Sequence, residues 1–172
     1  MRKVVAYFRS ITLKGVLENI GLLLLVYLLI HTYQTWNVPK GKVPEISGIN
    51  LQTSTPVSLK KMQKPVLVHF WATWCKICQF ERASIASIAR DYPVFSVASQ
   101  SGSAQAVKQF IAREGVTFPV VLDPDGKLFK QWGGVGFPTS FVVNKNNEIT
   151  FVEAGFTTEL GLRARLALAN FF

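Results

Sequence analysis

The chain has 172 residues, of which 49% are hydrophobic and 17% charged, and a mean hydropathy of +0.25. That size and composition suit one domain with a small appendage and exclude both a disordered chain and a polytopic membrane protein. The formal charge is +9, of which Arg2, Lys3, Arg9, Lys14 and Glu18 contribute +3. The charges after them are scattered singly, with no basic stripe interleaved with aromatics, so a solvated basic surface is expected and no nucleic-acid partner.

From Asn19 to Pro39 no residue is formally charged, and Ile20 to Ile30 is apolar on every side. The 21 residues from Val16 to Trp36 make about 31 Å of helix, enough to cross a hydrocarbon core. Glu18 and Asn19 fall at one interface, and Tyr33 and Trp36 at the other. A cleaved secretory signal needs a small-x-small site, and His31 to Asn37 offers none. An uncleaved transmembrane anchor over residues 16–36, embedded in the lipid bilayer, is therefore expected, with residues 1–15 in the cytoplasm because Arg2, Lys3, Arg9 and Lys14 precede the segment. His31 reads as amphipathic boundary rather than as a ligand. Residues 37–48, with Pro39, Gly41, Pro44 and Gly48, read as a tether. Residues 49–172 then form the exported domain, facing the periplasm.

Short apolar runs at 66–70, 94–98, 120–122 and 140–143 predict strands covered on both faces. A further strand at 149–152 follows the Asn146-Asn147 turn as a hairpin, which predicts a mixed sheet. Between the first two runs, Ile77, Phe80, Ser84, Ile85 and Ile88 are spaced like one buried helical face. Ser103, Val107, Phe110, Ile111 and Gly115 describe the cap, stripe and stop of a second helix. Leu128, Phe129 and Trp132 fit a short third, and Thr158, Leu162, Leu166 and Ala169 a fourth. The alternation predicts an α/β sandwich of mixed sheet and flanking helices.

Two cysteines cannot make a disulfide scaffold, and three positions apart they close a loop of negligible structural value. Cys75-Lys76-Ile77-Cys78 lies between a strand and a helical pattern, a place read as solvent-facing. Unpaired N–H groups and the macrodipole at a helix amino terminus stabilise a thiolate, which makes Cys75 the nucleophile. Cys78, one turn on, is placed to attack a mixed disulfide on Cys75. A structural zinc needs four ligands, and beyond the pair only His31 and His69 are on offer. Two thiolates alone can hold Cu(I), so copper carriage remains a rival from another class.

Phe70-Trp71-Ala72-Thr73-Trp74-Cys75-Lys76-Ile77-Cys78 resembles the active-site segment of the thioredoxin superfamily, and Gly136-Phe137-Pro138-Thr139 resembles its cis-proline loop. Gly115 to Val121, followed by Asp123-Pro124-Asp125-Gly126, resembles the inserted segment of the membrane-anchored TlpA-like branch. The anchor, Ser101-Gly102 and Gly155-Phe156-Thr157 resemble the suppressor-of-copper-sensitivity D type. The resemblance implies a thioredoxin-like fold from about Pro44 onward, Cys75 as attacking and Cys78 as resolving thiol, and Trp74 as a surface aromatic. It also implies a cis Pro138 that presents the backbone of Phe137 to a substrate chain, with Thr139 opening the next strand.

His69 departs from the superfamily pattern, in which a buried Asp stands six residues before the first cysteine; it is either a proton partner for Cys78 or a satisfied core histidine. Glu81 is either an acidic group serving the site, as the TlpA-like branch implies, or a solvated helix charge. Lys76 either favours the Cys75 thiolate or only solvates the helix start. The activity expected is thiol-disulfide exchange with cysteines of exported proteins, in the direction of reduction, recharged by a membrane electron donor and without an organic cofactor. Disulfide donation is the main alternative. A peroxidase is disfavoured because Trp74, not a threonine context, precedes the first cysteine.

Overall fold

The computed structural model describes residues 13–36, 38–39 and 42–171. Residues 1–12 of the expected cytoplasmic segment and Lys40 behind the anchor lie outside the described residues. The chain divides after Trp36 into two compact units. The first is helix α1 (Leu13–Thr35), in which Gly15–Tyr33 is long and apolar enough, by length and composition, to cross a bilayer.

The second unit is built on a five-stranded sheet of β3 (Val66–Trp71), β4 (Val94–Ser99), β5 (Val120–Asp123), β6 (Thr139–Val143) and β7 (Ile149–Ala154) in the order β5-β4-β3-β6-β7. The first three strands run parallel, and β6 and β7 are antiparallel, as the hairpin at Asn146-Asn147 requires. Every residue of β3 is buried, because alternate side chains serve two different cores. Leu67 and Trp71 face α2 (Lys76–Ile88), α3 (Ala104–Glu114) and α5 (Glu159–Leu168), among Ile85, Phe110, Leu162 and Leu166. Val66, Val68 and Phe70 face the other way, onto Phe129 of α4 (Lys127–Gln131), Trp132 and Phe141. Phe70 sits 5.6–5.8 Å, ring to ring, from those three aromatics.

Local signals place the helices. Ser103 caps α3 by accepting from Ala106 N, and Gly115 ends it in the left-handed region at φ 63°. Thr158 caps α5 by accepting from Gly161 N. The phase of α2 departs from expectation: Ile77 and Phe80 are exposed, at 46% and 78%, and the buried line is Cys78, Glu81, Ile85 and Ile88. Cys78 must face inward to bond Cys75, and one residue is a rotation of about 100°, so Ile77 and Phe80 are turned out.

The stretch expected as a tether is partly docked. Val43 N–H donates to Asn147 O, Lys42 bridges Glu148, and Ile46 is fully buried. Ser47–Ile49 (β1) pairs antiparallel with Pro56–Ser58 (β2), and Leu51 N–H ties this hairpin to Val120 O. Gly48 serves close approach, not flexibility: a Cβ there would lie 2.4 Å from Val121 Cγ1. Three-residue strands rich in Gly, Pro and Ser are too short for a period-two pattern to show. A cis Lys64-Pro65 bond, which the sequence reading did not single out, precedes β3.

Candidate active site

Strand β3 ends at Trp71, and a tight turn, Cys75 N–H to Ala72 O, carries the chain to the start of α2. Cys75 is the N-cap of that helix, its Sγ accepting from Cys78 N–H at 3.1 Å. It is bonded to Cys78, with the Cα atoms 5.3 Å apart. The cap position puts Sγ against the free N–H groups and positive end of the helix, where a thiolate is stabilised. The pair is less open than expected, at 6% and 5% exposure, and Phe137 of the proline loop packs against the core cluster that includes both cysteines.

Trp74 is exposed and pinned, its Nε1–H donating to Gln100 O at 2.9 Å. Its ring lies edge-on to Phe137 at 5.6 Å, and Phe137 in turn contacts Phe129 at 4.3 Å. The Phe137-Pro138 bond is cis. Thr139 Oγ1–H closes the loop onto Gly136 O at 2.6 Å, and Gly155 N–H occupies Pro138 O at 2.8 Å. The N–H and C=O of Phe137 make no hydrogen bond among the described residues, which leaves that backbone free to pair with an extended chain just before β6 begins. Lys76, at the first helical position, is exposed.

Beneath the pair lie two buried titratable groups. His69, on β3, has a serine on each side in register, Ser96 on β4 and Ser140 on β6. Its Nδ1 is 2.9 Å from Ser140 Oγ, while Ser96 Oγ accepts from Trp71 Nε1–H at 2.6 Å. Burial pushes the His69 pKa down to about 4. A cavity of about 20 Å³ has His69, Cys78, Gln79 and Arg82 in its otherwise apolar wall.

Glu81 is buried one turn beyond Cys78, which overturns its reading as a solvated charge. One carboxylate oxygen accepts from Thr157 N–H, and the other is buried with no hydrogen-bond partner among the described residues. Burial, opposed by the Thr157 bond and reinforced by Glu153, pushes its pKa up to about 7. Glu153 is itself held by Arg165 at 2.5 Å, and it pairs across the strands with Ser140. Ser140, Glu153 and Arg165 were not singled out from the sequence, and Thr157 entered only through the Gly155-Phe156-Thr157 likeness. Strand order brings Ser140 beside His69 and Glu153 beside Ser140, while Thr157 reaches Glu81 and Arg165 reaches Glu153; the one visible signal was Ser140 at the start of an apolar run. Among the described residues no group of three or more His, Cys, Asp and Glu is placed to hold a metal ion.

A Cys-x-x-Cys disulfide at a helix start, a cis-proline loop and a sheet of this order together define a thioredoxin-like thiol-disulfide oxidoreductase. The chain belongs to the Redoxin family, whose model matches residues 39–165. It is 34% identical, over 93% of its length and 98% of the relative's, to a thioredoxin-like protein of Haemophilus influenzae. It is 29% identical to the sporulation thiol-disulfide oxidoreductase A of Bacillus subtilis, over 66% of this chain and 73% of that one. The crystal structure of StoA from Bacillus subtilis matches with a TM-score of 0.62 at 26% identity, covering 74% of this chain and 98% of that one.

Proposed function

We propose that this oxidoreductase is tethered to the cytoplasmic membrane and reduces disulfides of other proteins in the periplasm. The observation that carries it is the Cys75–Cys78 disulfide capping α2 next to the unused backbone of Phe137. The substrate chain lies extended along Phe137, and the Cys75 thiolate attacks one sulfur of its disulfide. The other substrate sulfur leaves and takes a proton. Cys78, deprotonated, then attacks the mixed disulfide, which frees the second substrate sulfur and closes Cys75–Cys78. Two electrons pass to the substrate, and a membrane electron donor returns them with two protons. The cysteine pair is the whole redox centre of this scheme, with no organic cofactor.

The direction is supported by the likeness to the copper-sensitivity type and by the burial of both sulfurs, which works against the helix cap. Both sulfurs are nearly buried, which disfavours a pair of thiolates, and neither Lys76 nor Ile77 brings an imidazole between them. A poorly stabilised reduced form gives a low potential. The anchor is supported by the length and composition of α1, and its orientation by the four basic residues before it. A role in copper tolerance is supported by the likeness at Ser101-Gly102 and Gly155-Phe156-Thr157.

The test is to mix the reduced full chain, in detergent micelles, with a protein carrying an accessible disulfide. Stoichiometric reduction of that disulfide with closure of Cys75–Cys78 is expected. A chain that leaves it intact while holding Cu(I) tightly is a copper carrier, and the proposal fails.

A further inference from the structure

The Ser140 hydroxyl is buried, and its only hydrogen bond among the described residues is the one to His69 Nδ1. A hydroxyl has one proton and a neutral imidazole has one donor nitrogen and one acceptor nitrogen. If Nδ1 were the donor, the Ser140 proton would be buried without an acceptor, which folded proteins avoid. The hydroxyl therefore donates, Nδ1 accepts, and the imidazole proton is on Nε2. Nε2 has no hydrogen bond to a described residue, and His69 shares the wall of its cavity with Cys78. That cavity, about 20 Å³, is large enough for one water molecule.

We propose that His69, locked by Ser140 in the Nε2–H tautomer, is a fixed neutral hydrogen-bond donor to the Cys78 thiolate, acting through one water in the cavity between them. It is a positioning group for the resolving thiol and does not take up the thiol proton, which leaves to solvent. A hydrogen bond to the charged form lowers a thiol pKa. The suppressed basicity of His69 agrees with this role, because an imidazole that stays neutral above about pH 4 remains a donor at working pH.

The charged and titratable groups around His69 fit the same picture. From α2 they are Cys78 and Arg82 in the cavity wall, with Glu81 one turn on; Arg82 is tied to Glu114. β7 presents Glu153 beyond Ser140, whereas β4 and β6 present only the neutral hydroxyls of Ser96 and Ser140, and α3 only the apolar ring of Phe110. None is an evident acceptor chain for a proton leaving His69. The inference rests on the reading of Cys78 as the resolving thiol, but its test does not use disulfide exchange, so the two can fail separately.

Nitrogen NMR of the full chain in detergent micelles, with His31 assigned through a His31→Gln variant, reads the tautomer directly. A proton on Nε2 and none on Nδ1 between pH 5 and 8 is expected; a proton on Nδ1, or a charged ring, overturns the proposal. The second measurement uses the Cys75→Ser chain, in which Cys78 is the sole thiol, and follows thiolate absorbance against pH. His69→Phe removes the donor and is expected to cut the thiolate fraction at a given pH about tenfold, one unit of pKa. His69→Gln keeps an amide donor and restores most of it, and Ser140→Ala, which frees the tautomer, gives a smaller cut than His69→Phe. A Gln variant as impaired as Phe would mean that the imidazole accepts the proton, and an unchanged Phe variant that it does nothing; either overturns the proposal. If the Phe variant does not fold, an unchanged Cys78 pKa in Ser140→Ala overturns it instead.

Discussion

His69 and Glu81 are buried to the same degree, at 2% and 1% exposure, one on the strand that precedes the cysteines and one on the helix that carries them, yet burial moves their pKa values in opposite directions. The histidine goes down to about 4 and the glutamate up to about 7. The cause is the same, since low polarity disfavours whichever form is charged. The lesson is that burial beneath the disulfide disfavours charge of either sign. The opposite face of β3 packs Phe70, Phe129, Trp132 and Phe141 with no titratable group at all. One core sets the electrostatics of the cysteines, and the other holds the fold.

The largest expected effect tests that division. Phe141→Ala empties the aromatic core and is expected to cost about 3–5 kcal/mol of stability by denaturant unfolding, while the Cys75–Cys78 midpoint potential stays where it was. A potential that moves with it would show that the two cores are not separable.

A smaller effect follows from the pair of buried groups. Glu81 in the folded state keeps a proton that the unfolded chain loses between pH 4.5 and 7, so its contribution to stability falls as pH rises through that window. His69 in the folded state lacks a proton that the unfolded chain holds between about pH 4 and 6.5, so its contribution rises with pH there. Each swing is about 3 kcal/mol at most, and over their shared range the two oppose. Glu81→Gln should leave stability rising between pH 4 and 6.5, and His69→Gln should leave it falling between pH 4.5 and 7, both read from unfolding midpoints. Two variants with parallel pH profiles would contradict the opposition.

The sheet was legible in the sequence because its central strands are short apolar runs with turn residues on either side, and β3 at 66–70 stands out most clearly. The cysteine pair was legible because its spacing has chemical meaning only at a strand-to-helix junction. The burial of Glu81 was not, since a carboxylate three residues after Cys78 looks the same on either side of a helix. The phase of α2 decides it: the buried line runs through Cys78, Glu81, Ile85 and Ile88, which leaves Ile77 and Phe80 outside. Ser140 as the partner of His69 needed the strand order, because the two are 71 positions apart. The hairpin β1–β2 escaped because Gly48 and Pro56 look like tether residues until Val121 is seen against Gly48.

The most direct test of the central claim, that Cys75 and Cys78 pass electrons to other proteins, is a glutathione redox titration of the full chain with the thiols trapped at each ratio. A midpoint at or below roughly −230 mV is expected for a reductase. A midpoint above about −150 mV would make the pair a disulfide donor and contradict the direction assigned here.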